Sequence, residues 1–272
     1  MYENLRAQKS DILFPCKRQI FPDGYCIVTC ADRAVFRSEP VEPSQSPDKC
    51  RKGANKATDV LRSARRARAR VRELSHCAPV KYFVTLTLDA RKVDRYEDRI
   101  IIRRFSQWAD NQVRRKGLAY IVVPERHKDG AIHFHGLFTD ALQTIDSGTL
   151  RVPGSAKPRK PRGPRQRQRW LDDGAQIVYN LPGWSYGFST AIELYGDRAR
   201  AIGYVCKYIG KQIEGGMVGG RWYYHGGKFA EPRVEYYDIT ARDAEDIPGA
   251  WYTIEIPAAG LVMKRKEYWT HA

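Results

Sequence analysis

Short apolar runs and alternating apolar and polar residues predict β-strands in three stretches of the chain. The stretches are residues 82–88, 119–138 and 187–194. In the second, two apolar runs enclose Lys128-Asp129-Gly130, which is typical of a β-hairpin. The first is rich in β-branched and aromatic residues, so we expect it in the middle of a sheet.

Apolar residues spaced three to four positions apart predict three helices, at 54–75, 96–116 and 197–213. In the first, arginines crowd the faces beside an apolar stripe of Leu61, Ala64, Ala67, Val71 and Leu74. The stripe of the second consists of Ile100, Ile101, Phe105, Trp108 and Val113. We expect Asp197 to cap the third helix.

Two segments are predicted to be loops. Residues 39–48 are rich in Pro, Ser and Glu. In residues 152–170, prolines alternate with lysines and arginines, so this segment should form an exposed, flexible loop suited to a nucleic-acid backbone. Farther along, Val234-Glu235-Tyr236-Tyr237 suggests one more strand.

The charge of the chain points to a polyanionic partner. The 272 residues are 42% hydrophobic, enough for a sizeable core, and carry a net charge of +16. Nucleic acid is the leading candidate, and the clustered arginines favour it over a merely soluble basic protein. The polar start and the lack of an apolar run of bilayer length exclude a membrane protein and predict the host cytoplasm.

The six cysteines are scattered, which fits reduced thiols in that compartment. Four of them, Cys16, Cys26, Cys30 and Cys50, could form a zinc site, although no Cys-x-x-Cys spacing occurs among them. Small buried side chains are the simpler interpretation.

The segment His133-Phe134-His135 offers a candidate metal site. In a strand both imidazoles point to one face, and Phe134 points to the core. Two imidazoles on one face form half of a site for a divalent metal ion. In the strand before it, Thr85 and Thr87 likewise share one face.

A third ligand depends on the hairpin turn. If the loop is the three residues Lys128-Asp129-Gly130, with Gly130 left-handed, Glu125 falls opposite His133 and shares its face. A loop of two or four residues would place the carboxylate on the wrong face. A His-x-His pair without metal in an ordinary strand is the alternative.

The helix at 197–213 predicts a second set of reactive side chains. Its apolar stripe is Ile202, Val205, Cys206, Ile209 and Ile213. Two tyrosines and two lysines lie on the opposite side, outside the core: Tyr204, Lys207, Tyr208 and Lys211. A cation or metal would favour the phenolate and neutralise an attacked phosphate. Together with two histidines, these groups could cut a phosphodiester through a covalent phosphotyrosine; tyrosines at the rim of an amphipathic helix are the alternative.

Three motifs in this order resemble those of the HUH endonucleases, in particular the two-tyrosine rolling-circle replication initiators of small single-stranded DNA phages and some plasmids. They are Phe83-Val84-Thr85-Leu86-Thr87-Leu88, then His133-Phe134-His135, then the helix segment from Tyr204 to Lys211. The resemblance covers about residues 80–215.

The resemblance implies a mechanism. His133 and His135, with Glu125, would hold Mg²⁺ or Mn²⁺ at the scissile phosphate of single-stranded origin DNA. Tyr204 and Tyr208 would alternate as nucleophiles, leaving a 5′-phosphotyrosine and a free 3′-hydroxyl for a host DNA polymerase. Lys207 and Lys211 would stabilise phosphate charge. The chain contains no P-loop motif, so a host helicase would unwind the duplex.

The family fold is α+β, a central antiparallel β-sheet with packed helices, of the RRM or ferredoxin-like kind, and the predicted order of elements agrees with it. We expect an N-terminal basic extension over 1–78, an endonuclease domain over 79–240 and a C-terminal extension over 241–272. The rival functions are a relaxase or transposase nuclease of the same superfamily, a non-catalytic nucleic-acid-binding protein and a zinc-dependent binding module.

Overall fold

The computed structural model describes residues 12–13, 15–33, 35–36, 56–194, 198–246, 249–256 and 260–270. The chain divides into two compact units, one of residues 55–229 and one of residues 1–54 with 230–272. The predicted cap Asp197, the loop at 39–48 and Cys50 lie outside the described residues. None of the helices in the described ranges combines the length and apolar content that a membrane span requires.

The helices and strands follow one another along the chain with these bounds: β1 Ile12–Leu13, β2 Cys16–Ile20, β3 Tyr25–Ala31, β4 Val35–Phe36, α1 Lys56–His76, β5 Val80–Leu88, α2 Asp98–Lys116, β6 Tyr120–Arg126, β7 Ile132–Thr139, β8 Ile145–Arg151, α3 Pro164–Asp172, β9 Gln176–Asn180, β10 Gly187–Glu193, α4 Arg198–Gly215, β11 Tyr224–Gly226, β12 Arg233–Tyr237, β13 Tyr252–Ile256 and β14 Leu261–Trp269. Short 3₁₀ turns lie at Val218–Gly220 and Asp243–Asp246.

The larger unit contains a seven-stranded antiparallel sheet in the order β11, β6, β7, β5, β10, β9, β8. The strand predicted at 82–88 is the fourth of the seven, so its central place is confirmed. The hairpin and the strand at 187–194 are confirmed as β6–β7 and β10. With its packed helices the unit has the α+β fold predicted from the sequence.

Helices cover both faces of this sheet. On one face, Ile101, Phe105 and Trp108 of α2 pack in one cluster with Leu86 and Phe134. On the other face, apolar residues of α1 and α4 pack against Val123 and Leu137. Successive residues of a strand point to opposite faces, so the sheet is a middle layer between two helical layers.

The helix bounds agree with the sequence prediction, but each of two apolar stripes contains one residue that is not buried. Leu61 of α1 and Ile100 of α2 are both 45% exposed. Ala64, Ala67, Val71 and Leu74 are buried as predicted, and so are Ile101, Phe105 and Trp108. Both exposed residues lie near the start of their helix, before the part that packs most closely on the sheet.

The prediction of a loop throughout 152–170 is wrong, because this segment contains the first part of α3. Pro164 stands in the first turn, where its missing N–H costs nothing, and good helix formers follow it. No residue of α3 is buried, so the exposure of this basic segment is confirmed.

The smaller unit contains a five-stranded antiparallel sheet in the order β12, β2, β3, β14, β13 and a two-stranded pairing of β1 with β4. The strand predicted around Tyr236 and Tyr237 is confirmed as β12. The predicted domain boundaries stay a prediction; in the structure, the arginine-rich helix α1 belongs to the same compact unit as the seven-stranded sheet.

The expectation of reduced thiols is wrong for one pair, since Cys16 and Cys30 form a disulfide. They are direct cross-strand partners on β2 and β3, a register that the spacing of cysteines in the sequence does not reveal. Both are buried, and so is the free thiol of Cys26. The disulfide removes two of the four thiolates considered for zinc.

Candidate active site

The hairpin turn meets the condition for Glu125 to share a face with the histidines. The N–H of His127 donates to the carbonyl of Ala131, at 2.8 Å, which leaves the predicted three residues in the loop. Gly130 has a φ of 84°, a left-handed conformation that favours glycine. Glu125 is then the direct cross-strand partner of His133.

Two threonines orient the two imidazoles. β5 and β7 pair so that Thr85 is opposite His135 and Thr87 is opposite His133. The Thr85 hydroxyl lies 3.1 Å from Nδ1 of His135, and the Thr87 hydroxyl lies 3.3 Å from Nδ1 of His133. A hydroxyl can donate or accept, so it can fix the ring in either neutral tautomer and leaves Nε2 for another partner.

The residue after His135 must be glycine for these strands to pair so closely. A Cβ at Gly136 would lie 2.5 Å from the carbonyl oxygen of Ile121 and 2.5 Å from Cγ2 of Val122. The strand that holds the histidines is therefore tightly packed against its neighbour, which fixes the direction of both imidazoles.

The carboxylate of Glu125 joins β7 to α4. Its Oε2 lies 2.9 Å from Nε2 of His135, and its Oε1 accepts from the ammonium of Lys211 at 2.5 Å. Burial raises the pKa of Glu125, but the hydrogen bonds from His135 and Lys211 outweigh it and lower this pKa to about 2. Glu125 is therefore a carboxylate at neutral pH and a very weak base.

Burial also acts on His133. It lowers the pKa of this imidazole, and the nearby charges of His135 and His127 lower it further. The ring of His127 stacks beside that of His133 with centroids 5.2 Å apart. The neutral form that results is the form in which histidine binds a metal ion.

The prediction that both tyrosines lie outside the core is wrong for Tyr208, which is only 5% exposed. On α4 the buried arc includes Val205, Ile209 and Gln212, and Tyr208 lies at one edge of it. Its ring stacks on the His135 imidazole with centroids 3.8 Å apart and planes 4° apart. Burial, then a hydrogen bond and the charge of Tyr204, hold the pKa of Tyr208 well above its usual value.

Tyr204 stands one turn earlier and is 47% exposed. Its ring meets the Tyr208 ring edge-on at 5.2 Å and the Phe83 ring edge-on at 5.3 Å. The two phenols are thus adjacent, one against the histidines and one open to solvent.

The two lysines of α4 have different surroundings. Lys211 pairs with Glu125, and its ammonium lies 5.0 Å from the centroid of the Tyr208 ring. Lys207 is exposed and borders a cleft beside Tyr204. Sequence reasoning missed another cation at this place, Arg151 at the end of β8, whose charge lowers the pKa of Tyr208. No local signal marks Arg151, because it reaches the tyrosines only through the pairing of distant strands.

The donor set suits a divalent ion, although the side chains stand as hydrogen-bonded partners. Within the described residues, no three His, Cys, Asp or Glu side chains have the arrangement of a metal site. His133, His135 and Glu125 nevertheless offer two imidazole nitrogens and a carboxylate on one face, with both Nδ1 atoms held by threonines. This chemistry fits Mg²⁺ or Mn²⁺.

Comparison with known proteins agrees with a role in replication. Residues 81–213 match the sequence model of a family described as replication-associated protein ORF2. The matched stretch contains the histidines, Glu125, both tyrosines and both lysines. No curated protein and no solved structure matches the chain significantly. The fold, the site and this match support a replication-associated protein that binds DNA.

Proposed function

We propose that this protein is a replication initiator that nicks and rejoins single-stranded origin DNA through a 5′-phosphotyrosine intermediate. The observation that carries the proposal is the contact between Tyr208 and His135, which joins a phenol directly to the candidate metal ligands. The family match in the same stretch supports it.

Charge supports single-stranded DNA as the substrate. Residues 55–229 contain 33 lysines and arginines against 16 aspartates and glutamates, whereas the rest of the chain contains 14 against 15. The excess positive charge is thus confined to the unit that holds the site. A basic surface with aromatic side chains is the chemistry that binds single strands.

The nicking step exchanges one phosphate ester for another. A tyrosine oxygen forms a bond to phosphorus, the bond from phosphorus to the 3′ oxygen breaks, the phenol releases its proton to solvent, and the 3′ oxygen takes one up. Rejoining reverses these changes, with the 3′-hydroxyl attacking the phosphotyrosine. No net bond energy is lost, so the protein can cut, wait and reseal.

Named residues have separate roles in this scheme. His133, His135 and Glu125 would hold Mg²⁺ or Mn²⁺, which supplies Lewis-acid polarisation of the scissile phosphate. Thr85 and Thr87 keep the imidazoles in place, and Lys211 keeps Glu125 ionised. Lys207 faces solvent beside Tyr204, where it can neutralise phosphate charge.

Tyr204 and Tyr208 serve as alternating nucleophiles. Their rings are in contact, so both phenols can reach one phosphate position in turn. Tyr208 has a raised pKa and little exposure, so it acts when DNA and its counter-charges have entered the site, whereas Tyr204 is already accessible. A host helicase, a host DNA polymerase and the host cytoplasm complete the proposal.

A covalent-adduct assay tests it. Single-stranded DNA from the protein's own replicon is incubated with Mn²⁺ and run on denaturing gels with wild type, Tyr204→Phe, Tyr208→Phe and the double variant. Tyr186→Phe is the matched control, since Tyr186 packs with the core cluster on the α2 face. We expect a metal-dependent protein–DNA band in wild type, in Tyr186→Phe and in each single variant, and none in the double variant.

Other outcomes have definite meanings. Complete loss in one single variant would overturn the alternation and leave one nucleophile. DNA binding without any adduct on any strand would overturn the nuclease and favour a non-catalytic nucleic-acid-binding protein.

A further inference from the structure

A cleft of about 580 Å³ opens beside Tyr204, between α4 and strands β8 to β10. Three kinds of side chain line it, namely aromatic rings, cations and one amide: Phe83, Tyr204, Arg151, Arg200, Lys207 and Gln176. Its size is that of a small-molecule site, and these groups match the parts of a nucleotide.

The aromatic wall can stack a base. Phe83 and Tyr204 meet edge to face at 5.3 Å, so their ring planes differ and at least one ring can present a face to the cleft. Tyr204 is nearly half exposed. Stacking of a base on such a ring tolerates any base identity, which makes it a binding term and not a reading term.

The remaining groups can hold the phosphate and the base edge. Arg151, Arg200 and Lys207 are exposed, and a phosphate needs no more than one or two such cations. Gln176 is half-buried, and its side-chain amide donates to the backbone carbonyl of Glu193 at 3.4 Å. An amide offers both a donor and an acceptor, the combination that distinguishes base edges.

The cleft is continuous with the candidate site. Tyr204 belongs to both, and the charge of Arg151 reaches the phenol of Tyr208. We infer that the cleft binds the nucleotide next to the scissile phosphate, with its base against Phe83 or Tyr204, its edge on Gln176 and its phosphate on Arg151. The position next to the scissile phosphate rests on the proposed function; nucleotide binding in the cleft does not.

Gly203 provides a direct test, because it lines the cleft on α4 and a Cβ there meets no atom within 4 Å. Gly203→Leu should therefore fill the cleft without strain and favour the helix. Gly215→Leu is the matched control, since Gly215 lies on the same helix, also in open space, but does not line the cleft.

Affinity is measured by fluorescence anisotropy with a labelled dT dodecamer in EDTA, so that no cleavage occurs. We expect Gly203→Leu to weaken binding about tenfold, the order of one lost base stack, and Gly215→Leu to bind within about twofold of wild type. Circular dichroism checks that both variants fold. Equal affinity of folded Gly203→Leu and wild type would overturn the inference.

Photocrosslinking locates the base independently. A dodecamer with 5-iodouracil replacing thymine is crosslinked to wild type in EDTA, and the modified peptides are identified by mass spectrometry. We expect the crosslink on Phe83 or Tyr204 and its loss in Gly203→Leu. Crosslinks confined to other residues would contradict the inference. If both binding results hold but the adduct assay finds no nicking, the proposed function fails and a nucleotide-binding cleft remains.

Discussion

The two faces of the seven-stranded sheet are built from alternate residues of the same strands, yet they differ in chemistry. Ile132 and Phe134 point into the cluster under α2, where Phe134 stacks on Phe105 with centroids 4.5 Å apart. His133 and His135 point to the face under α1 and α4, where they meet threonines, Glu125 and Tyr208.

The difference shows how a polar site is kept rigid. A buried imidazole or carboxylate costs free energy unless it has partners. The aromatic face supplies the packing that fixes β7, and the opposite face can then hold hydrogen-bonded side chains in defined directions. We therefore expect variants of the aromatic face to change stability and variants of the polar face to change binding and chemistry.

The largest effect is expected for Phe134→Ala. It removes a fully buried ring from the aromatic face and should lower the free energy of unfolding by about 3–5 kcal/mol. Urea denaturation followed by circular dichroism measures it. Phe188→Ala is the matched control, because Phe188 is 63% exposed and should change stability by less than about 0.5 kcal/mol. Similar losses in the two variants would break the proposed division of the faces.

The polar face should reveal itself through pH. The pKa of Glu125 falls from 4.5 to about 2 on folding, so the unfolded chain binds this proton more tightly. Its contribution to stability is complete above pH 4.5 and is lost as the pH falls toward 2. In metal-free protein, the stability advantage of wild type over Glu125→Gln should shrink by an order of 2 kcal/mol across this range. An unchanged difference would mean that Glu125 is not held by His135 and Lys211.

The two threonines should matter for metal binding more than for stability. Thr85→Val or Thr87→Val removes the hydroxyl that orients an imidazole and should weaken Mn²⁺ binding about 10- to 100-fold. Isothermal titration calorimetry measures the affinity. Thr190→Val is the matched control, since Thr190 is the cross-strand partner of Thr85 on β10, on the side away from β7. Equal affinity in all three variants would argue against His133 and His135 as ligands.

The sequence was sufficient for the features that depend on local period. Alternation placed Thr85, Thr87, His133 and His135 on shared faces, and the loop length then decided the place of Glu125. The mutual register of β5, β6 and β7 is a nearest-neighbour property, so short-range signals determine it.

Features that depend on distant segments were not predictable in this way. The width of the buried arc on α4 is set by how the helix lies on the sheet, so Tyr208 was placed on the wrong side of its boundary. The pairing of Lys211 with Glu125 and the approach of Arg151 to the tyrosines depend on the same packing. The cross-strand disulfide of Cys16 and Cys30 depends on a register that their separation of 14 residues does not encode.

The smallest expected effect separates pattern from packing on the aromatic face itself. Ile100 and Ile101 are neighbours on α2 with the same side chain, and both were predicted in the apolar stripe, yet Ile100 is 45% exposed and Ile101 is buried. Ile100→Ala should change the free energy of unfolding by less than about 0.5 kcal/mol, whereas Ile101→Ala should lower it by about 2–5 kcal/mol. Urea denaturation of the two variants measures both. A large loss for Ile100→Ala would mean that the aromatic face extends farther around α2 than its packing on the sheet indicates.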